Sequence, residues 1–341
     1  MRKKTYVEAL RIIAAFLVIV NHTNSRIFQN RTPDLTWFCS VAYFFLSRPA
    51  VPVFLLIMGG LLLGKEDSPR QSAGRILRIL AVFVPGSLLY YVYYRLRRGE
   101  PISLGGLVAG FLSGTSTNAF WYFWLYLGLL CMLPILQKLV RALDRRQMKY
   151  LLVLSLGVNG LVPLAAILHP GLAVSKFFYQ GLVGPYLGLV LMGYYLEQYV
   201  TVDHKKCLLC AGGLVLLTAE LTFGTWLLYL RDSANYYALS ERTLLPITVC
   251  AGCLYLCVKY LFTQHPLGIR LERAVCGLGR LTFGIYLLGD LAIDLSAPVY
   301  EALCRVMHVL PAMLLWELLI FACCALATAA LRLVPVLRRV L

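Results

Sequence analysis

Residues 6–22 of the chain read YVEALRIIAAFLVIVNH, an apolar run with an arginine near one end and a histidine at the other. Residues 12–20 are all apolar, which is typical of a helix that lies in lipid. Arg11 and His22 are eleven positions apart, so about three helical turns bring both to one face, roughly 16 Å apart along the axis. Glu8 precedes Arg11 at the spacing of an i,i+3 ion pair. The segment therefore predicts a membrane helix with one polar face.

Similar apolar segments make up most of the remaining chain. Of the 341 residues, 60% are hydrophobic and 14% are charged, and the mean hydropathy is +0.75. A soluble fold of this size cannot hide that much apolar surface. We count apolar segments at residues 9–24, 41–63, 76–95, 120–138, 150–168, 178–199, 206–231, 242–262, 281–303 and 310–331. These predict an all-α bundle of about ten transmembrane helices, forming a single domain over residues 1–341 in a lipid bilayer.

The basic charge is explained by membrane topology. The net charge of +16 would suggest a nucleic-acid partner in a soluble protein. Here most Lys and Arg residues fall in alternate loops, which is the positive-inside pattern, so we expect both termini in the cytoplasm and no nucleic-acid partner. The cluster Arg95, Arg97 and Arg98 is the exception, because this topology places it outside. The polar exit after Val20 lacks a signal-peptidase site, so we expect the first segment to remain as a helix.

A polar helix face is costly in hydrocarbon. We therefore expect Arg11 and His22 to line a protein cavity. The alternative is that each residue extends separately to water at its own end of the helix.

Three further stretches, together with the Arg11–His22 spacing, carry a family resemblance. They are RPAVPVFLLIMGG at 48–60, WYFWLYLGLLCMLP at 121–134 and LTFGIYLLG at 281–289. The chain resembles the acyltransferase-3 family of integral membrane acyltransferases, whose first helix carries an Arg and a His separated by ten residues. The order of the motifs agrees with that family over essentially the whole chain. Two positions depart from it: Ala119 and Gly289 stand where many members have a histidine.

The resemblance implies a membrane O-acyltransferase or acetyltransferase. It would move an acyl group, usually acetyl, from cytoplasmic acyl-CoA to a hydroxyl or amine of a cell-envelope glycan, in a bacterial plasma membrane. A histidine suits the general base for an attacking hydroxyl, and CoA phosphates need fixed cations. We therefore expect His22 and Arg11 to be catalytic, with Arg11 also binding the donor. Acetyl-CoA would be a substrate, with no cofactor bound permanently.

Other residues are candidates for binding, and all but Asp290 have a structural alternative. Arg48 suits donor or acceptor binding, or else caps the second helix. Glu220, inside an apolar helix, suits a cavity wall or an interhelical hydrogen bond. Trp121, Tyr122 and Trp124 suit a sugar surface or an interfacial aromatic belt. Asp290 follows the missing histidine position and suits substrate binding.

Two other classes of function remain open. Ten helices with buried charges and Pro/Gly breaks also suit a transporter or flippase of a cell-surface precursor, although no inverted repeat is visible. The departures at Ala119 and Gly289 suit a non-catalytic scaffold of the same fold. The pair Cys207 and Cys210 has no second pair or histidine at ligand spacing, so we expect no metal site and interpret the cysteines as small apolar residues.

Overall fold

The computed structural model describes residues 4–114, 117, 120–169, 171, 172, 174, 175, 184–233 and 236–340. Regular structure in this part of the chain is helical throughout. The helices are α1 Thr5–Thr23, α2 Ser25–Phe28, α3 Leu35–Ser47, α4 Ala50–Met58, α5 Pro69–Arg98, α6 Leu104–Leu112, α7 Trp121–Ala142, α8 Arg145–Leu156, α9 Val162–Leu168, α10 Pro185–Tyr199, α11 His204–Arg231, α12 Leu245–Gln264, α13 Ile269–Gly279, α14 Thr282–Val306, α15 Val309–Leu331 and α16 Pro335–Val340. Single π-helical segments Gly59–Leu63 and Gly157–Leu161 continue α4 and α8, and a 3₁₀ turn covers Tyr236–Ser240.

Nine helical spans among the described residues are long and apolar enough to cross a membrane. They correspond to nine of the ten apolar segments. The remaining segment, 178–199, holds the shorter helix α10, and its first residues lie outside the description. The prediction of an all-α, polytopic membrane bundle is confirmed. The cytoplasmic position of both termini stays a prediction.

Local signals in the sequence define several helix ends. Ser68 and Gln71 form a capping box before α5, and Pro69 takes the first helical position, where its missing N–H costs nothing. Asp144 and Gln147 form the same box before α8. Gly99 ends α5 in the left-handed region at φ +66°, a conformation that favours glycine.

The second apolar segment is broken and closely packed, as its prolines and glycines predict. Its helix is interrupted at Pro49 between α3 and α4. An ideal Cβ on Gly59 would stand 1.8 Å from the carbonyl oxygen of Val190, and one on Gly193 would stand 2.1 Å from that of Leu56. These two glycines let the backbones of α4 and α10 touch.

The Gly- and Ser-rich stretch between α5 and α7 contains the helix α6. Ser103 caps this helix by accepting a hydrogen bond from the backbone N–H of Gly106. The glycines lowered the helical signal of the sequence, although the cap and the apolar residues were present.

Helix α1 lies inside the bundle. It packs against α3, α4, α12, α13, α14 and α15. Leu10, Ala14 and Val20 have no exposed surface, and Ala15 has 1%. The two alanines bring neighbouring helices close to α1 and hold the direction of its polar face. Arg11 and His22 are therefore fixed by packing on several sides.

Candidate active site

Arg11 lies near the N-terminal end of α1 and pairs with Glu8. Its Nη1 is 3.2 Å from Oε1 of Glu8, at the i,i+3 spacing that the sequence predicts. The side chain of Arg11 is 36% exposed, whereas that of Glu8 is 7% exposed. Glu8 therefore holds the guanidinium on one side and leaves much of it open.

A cavity of about 380 Å³ opens beside Arg11, and we call it the Arg11 cavity. Two further arginines, Arg280 and Arg332, line it, and Nη1 of Arg332 donates to the carbonyl oxygen of Arg280 at 3.4 Å. Its aromatic lining residues are Phe54, Tyr122, Phe123, Tyr126, Phe283 and Tyr286. The cavity therefore combines guanidinium groups with an apolar, aromatic wall.

A second cavity, of about 690 Å³, opens beside His22, and we call it the His22 cavity. Its wall mixes tyrosines, carboxylates and arginines with small residues from α6. The polar lining residues besides His22 are Arg26, Tyr91, Tyr94, Arg95, Arg98, Glu100, Ser113, Thr117, Asp290 and Asp294. Two arginines of the basic cluster that violates the positive-inside pattern, Arg95 and Arg98, therefore lie in this wall.

A small space between α1 and α14, which we call the neck, shares lining residues with both cavities. It measures about 10 Å³, close to the volume needed for one water-sized group. Tyr286 lines both the neck and the Arg11 cavity, whereas His22 and Asp290 line both the neck and the His22 cavity. Gly289 also lines the neck, and a Cβ there would meet no described atom within 4 Å. His22 thus lines the His22 cavity and a neck whose wall shares Tyr286 with the Arg11 cavity.

Asp290 lies against the imidazole of His22. Nδ1 of His22 is 3.5 Å from Oδ1 of Asp290, and the side chains are 28% and 15% exposed. Thr117, in the segment before α7, donates from its hydroxyl to Oδ2 of Asp290. The structure therefore places Asp290, predicted for substrate binding, beside His22.

Asn21 and Arg48 support the same end of α1. The amide of Asn21 donates to the carbonyl oxygen of Ser47 at 2.6 Å and accepts from Nη1 of Arg48 at 3.0 Å. Arg48 also donates to the carbonyl oxygen of Ser240 and is only 8% exposed. It is not among the described residues that line either cavity. Its contacts join α1 to the turn before α12, at the His22 end and not beside Arg11.

The three aromatic candidates of α7 point in different directions. Tyr122 lines the Arg11 cavity. Trp121 lies under the guanidinium of Arg242 at 4.7 Å, and Trp124 packs against Phe83 and Phe111. The structure therefore does not gather them into one surface, and only Tyr122 lies at a described cavity.

Glu220 is exposed on α11 and is not among the described residues that line the cavities. The expectation of a cavity wall followed from the cost of a carboxylate in hydrocarbon. Helix periodicity does not tell which face of α11 meets the bundle, and this residue lies on the outer face.

Sequence reasoning did not single out Thr117, Arg280, Arg332 or Tyr286 as site residues. Arg280 and Arg332 belong to the basic loops, which indicate the orientation of the chain in the membrane but do not by themselves indicate a binding site. Tyr286 stood within the 281–289 motif. Thr117 had no signal, because its role depends on a contact with a distant helix.

The fold defines this chain as a polytopic membrane protein, whose first helix turns a polar face into cavities. The family model described as "Acyltransferase domain" matches residues 4–332, essentially the whole length. The chain belongs to this acyltransferase-3 family, as its motifs predicted, and membership implies acyl transfer. No curated protein and no solved structure matched it. Of the two departures from the family pattern, Gly289 lines the neck and Ala119 lies outside the described residues.

Proposed function

We propose that this protein transfers an acyl group, acetyl above all, from acyl-CoA in the Arg11 cavity to a hydroxyl or amine of an acceptor in the His22 cavity. The observation that carries the proposal is the neck, which shares His22 and Asp290 with the His22 cavity and Tyr286 with the Arg11 cavity. A general base that serves both reactants must stand between the two binding cavities.

The Arg11 cavity suits an acyl-CoA donor. Arg11, Arg280 and Arg332 supply guanidinium groups, which match the phosphate oxygens of CoA as charge-assisted donors. The aromatic wall then suits the uncharged pantetheine arm. Arg11 and His22 are roughly 16 Å apart along α1, a distance comparable to the length of that arm. The basic end of the molecule would face the cytoplasm, where acyl-CoA is made.

The His22 cavity suits a glycan acceptor. Tyr91 and Tyr94 offer ring faces and hydroxyls, while Arg98, Asp290 and Asp294 offer the polar groups that bind sugar hydroxyls. A volume of about 690 Å³ accommodates one or two sugar units of a longer chain. We therefore place a cell-envelope glycan or a lipid-linked precursor here, at the far side of a bacterial plasma membrane.

The reaction follows from these positions. His22 takes the proton of the acceptor hydroxyl as its oxygen attacks the thioester carbonyl, which forms a tetrahedral intermediate. The C–S bond then breaks, the ester remains on the acceptor (an amine acceptor gives an amide by the same steps), and the CoA thiolate receives the proton from His22. The enzyme ends in its starting protonation state. Acyl-CoA is consumed as a substrate and no permanently bound cofactor is needed.

Membrane vesicles from cells that express the protein, incubated with [¹⁴C]acetyl-CoA, test this proposal. We expect label in the glycan or glycolipid fraction, and its loss in His22→Ala by a factor on the order of 100 or more. His265→Ala is the matched control, because His265 is exposed at the end of α12. Size-exclusion chromatography in detergent checks that each variant is folded.

Three outcomes contradict the proposal. Folded His22→Ala protein that transfers acetyl at the parental rate removes His22 from the chemistry. Transport of a glycan precursor into proteoliposomes, with no acetyl-CoA consumed, identifies a transporter. A chain that does not bind [¹⁴C]acetyl-CoA in equilibrium dialysis is a non-catalytic scaffold.

A further inference from the structure

The contact between Asp290 and His22 brings a carboxylate to the imidazole, a group that the Arg11–His22 pair of α1 does not provide. An imidazole that serves as a base must present an unprotonated nitrogen to the acceptor, and one of its two nitrogens always carries a proton. Which nitrogen is free depends on the partner of the other one. In this structure, Nδ1 faces a carboxylate oxygen at 3.5 Å.

We propose that Asp290 is the positioning residue of His22. It accepts the Nδ1–H of the imidazole, so that Nε2 is the nitrogen that takes the acceptor proton. The inference rests on the function proposed above and adds a residue on α14 to a site defined so far by α1. A distance of 3.5 Å is long for a hydrogen bond, and such contacts in unliganded active sites shorten when substrate binds.

Thr117 fixes the carboxylate independently of His22. Its hydroxyl donates to Oδ2 of Asp290, while Oδ1 faces the imidazole. Thr117 is only 6% exposed, so water competes little for this contact. Thr117, which precedes α7, therefore fixes the orientation of the carboxylate. The other carboxylate oxygen, Oδ1, then faces His22 in a defined direction.

The charges around His22 give Asp290 a second task. Arg48 donates from Nη1 to the side-chain oxygen of Asn21, the residue before His22, at 3.0 Å, so a guanidinium group lies at this end of α1. An imidazolium that forms when His22 accepts a proton gains nothing from such a cation. The carboxylate of Asp290, whose Oδ1 is 3.5 Å from Nδ1, stabilises the positive charge that appears during the reaction.

Asp294 provides a comparison within the same helix. It stands one turn after Asp290 and lines the same cavity, but it accepts from the hydroxyl of Tyr93 at 2.9 Å and pairs with Arg97. An Asp294 variant therefore tests the loss of a carboxylate from the cavity wall, whereas an Asp290 variant tests the loss of the carboxylate beside His22.

The vesicle assay with [¹⁴C]acetyl-CoA tests the inference through initial rates at several donor concentrations. For Asp290→Asn we expect a maximal rate lower by a factor on the order of 100, with the KM for acetyl-CoA unchanged within about twofold, because the donor does not depend on this carboxylate. Asp290→Glu should restore a measurable part of the rate. Asp294→Asn should lose less than about tenfold, and Glu301→Gln, exposed on the same helix, should match the parent.

A spectroscopic readout separates positioning from folding. The chain has five histidines, so a variant that keeps only His22 gives one ¹⁵N-histidine signal pair. We expect the Nδ1–H tautomer in the parent and its loss in Asp290→Asn, since an asparagine amide can donate to Nδ1. An unchanged tautomer overturns the inference.

The kinetic outcomes distinguish the two proposals. An Asp290→Asn protein with a parental rate, alongside an inactive His22→Ala protein, overturns the role of Asp290 and leaves the acyltransfer function standing. A parent that transfers no label above control membranes overturns the function itself.

Discussion

Thr23, the residue after His22, shares a hydrogen bond with Glu317 on α15. The hydroxyl of Thr23 is 2.6 Å from Oε1 of Glu317, and the hydroxyl of Tyr43 donates to Oε2 at 2.6 Å. Glu317 has no exposed surface. One carboxyl group therefore joins α1, α3 and α15 at the end of α1 that carries His22.

Replacement of this carboxyl should weaken the bundle. Glu317→Ala removes the acceptor of the half-buried Tyr43 hydroxyl and leaves the buried Thr23 hydroxyl only the carbonyl oxygens of Ile19 and Val20, and loss of such a contact costs about 1–3 kcal/mol. We expect a melting temperature several degrees lower in detergent, and a smaller decrease for Glu317→Gln, which keeps hydrogen-bonding atoms. Glu301→Ala, exposed on α14, is the control. A Glu317→Ala protein as stable as that control would show that the contact contributes nothing.

The close approach of α4 and α10 should make the stability of the protein sensitive to the size of residue 59. A methyl group on Gly59 would collide with the carbonyl oxygen of Val190, which is backbone and cannot rotate away. We expect Gly59→Ala to destabilise the protein by about 2 kcal/mol or more, by separating the helices. Gly212→Ala in α11 should be neutral or stabilising, because a Cβ there meets no described atom within 4 Å and alanine favours helix. Thermal unfolding of both variants in the same detergent decides the point.

Much of the fold followed from the sequence, because hydropathy and helix geometry act locally. Residues 12–20 are apolar and Arg11 and His22 are three turns apart, so a shared face follows from the helix alone. The broken second segment followed from Pro49 and Gly59 in the same way. The sequence could also indicate that a polar face needs a cavity.

The partners of that face could not be predicted, because they come from distant helices. Nothing near His22 in the chain indicates Asp290 or Thr117, and Asp290 was interpreted only as a substrate contact. Glu220 shows the opposite difficulty. Its cost in lipid suggested a cavity, whereas the packing of α11 leaves it outside. Burial of one side of a helix depends on neighbours that hydropathy does not specify.

Acidification should loosen the connection between α5 and α7. Asp67, between membrane segments, accepts hydrogen bonds from Arg75 and from Nε2 of Gln137 at 2.8 Å. Burial acts to raise the pKa of the Asp67 carboxyl, but these hydrogen bonds outweigh it and hold the pKa below its usual range. A lowered pKa means that the stabilisation is complete at neutral pH and disappears as the pH falls below about 4.

Melting temperatures measured between neutral and acidic pH check the prediction. Asp67→Asn should be less stable than the parent at neutral pH, and the difference should shrink as the pH falls. Glu66→Gln is the neighbouring control, because the side chain of Glu66 is 77% exposed and exposed ion pairs contribute little. A constant difference across the pH range would mean that the Asp67 charge is not responsible.

Arg280 and Arg332 should affect donor binding and leave the chemical step alone. Both line the Arg11 cavity and neither lines the neck, and the Arg332 guanidinium donates to the Arg280 carbonyl oxygen. If they bind CoA phosphates, loss of one charged contact costs about 1–2 kcal/mol of donor binding. Arg280→Gln and Arg332→Gln should therefore raise the KM for acetyl-CoA roughly 5- to 30-fold, with little change in kcat. Arg270→Gln, exposed on α13, removes an equal charge outside the cavity. A general loss of positive charge would affect all three variants alike. An equal KM increase in Arg270→Gln would therefore contradict a phosphate site in the cavity. An increase confined to Arg280→Gln and Arg332→Gln locates the CoA end of the donor in the Arg11 cavity.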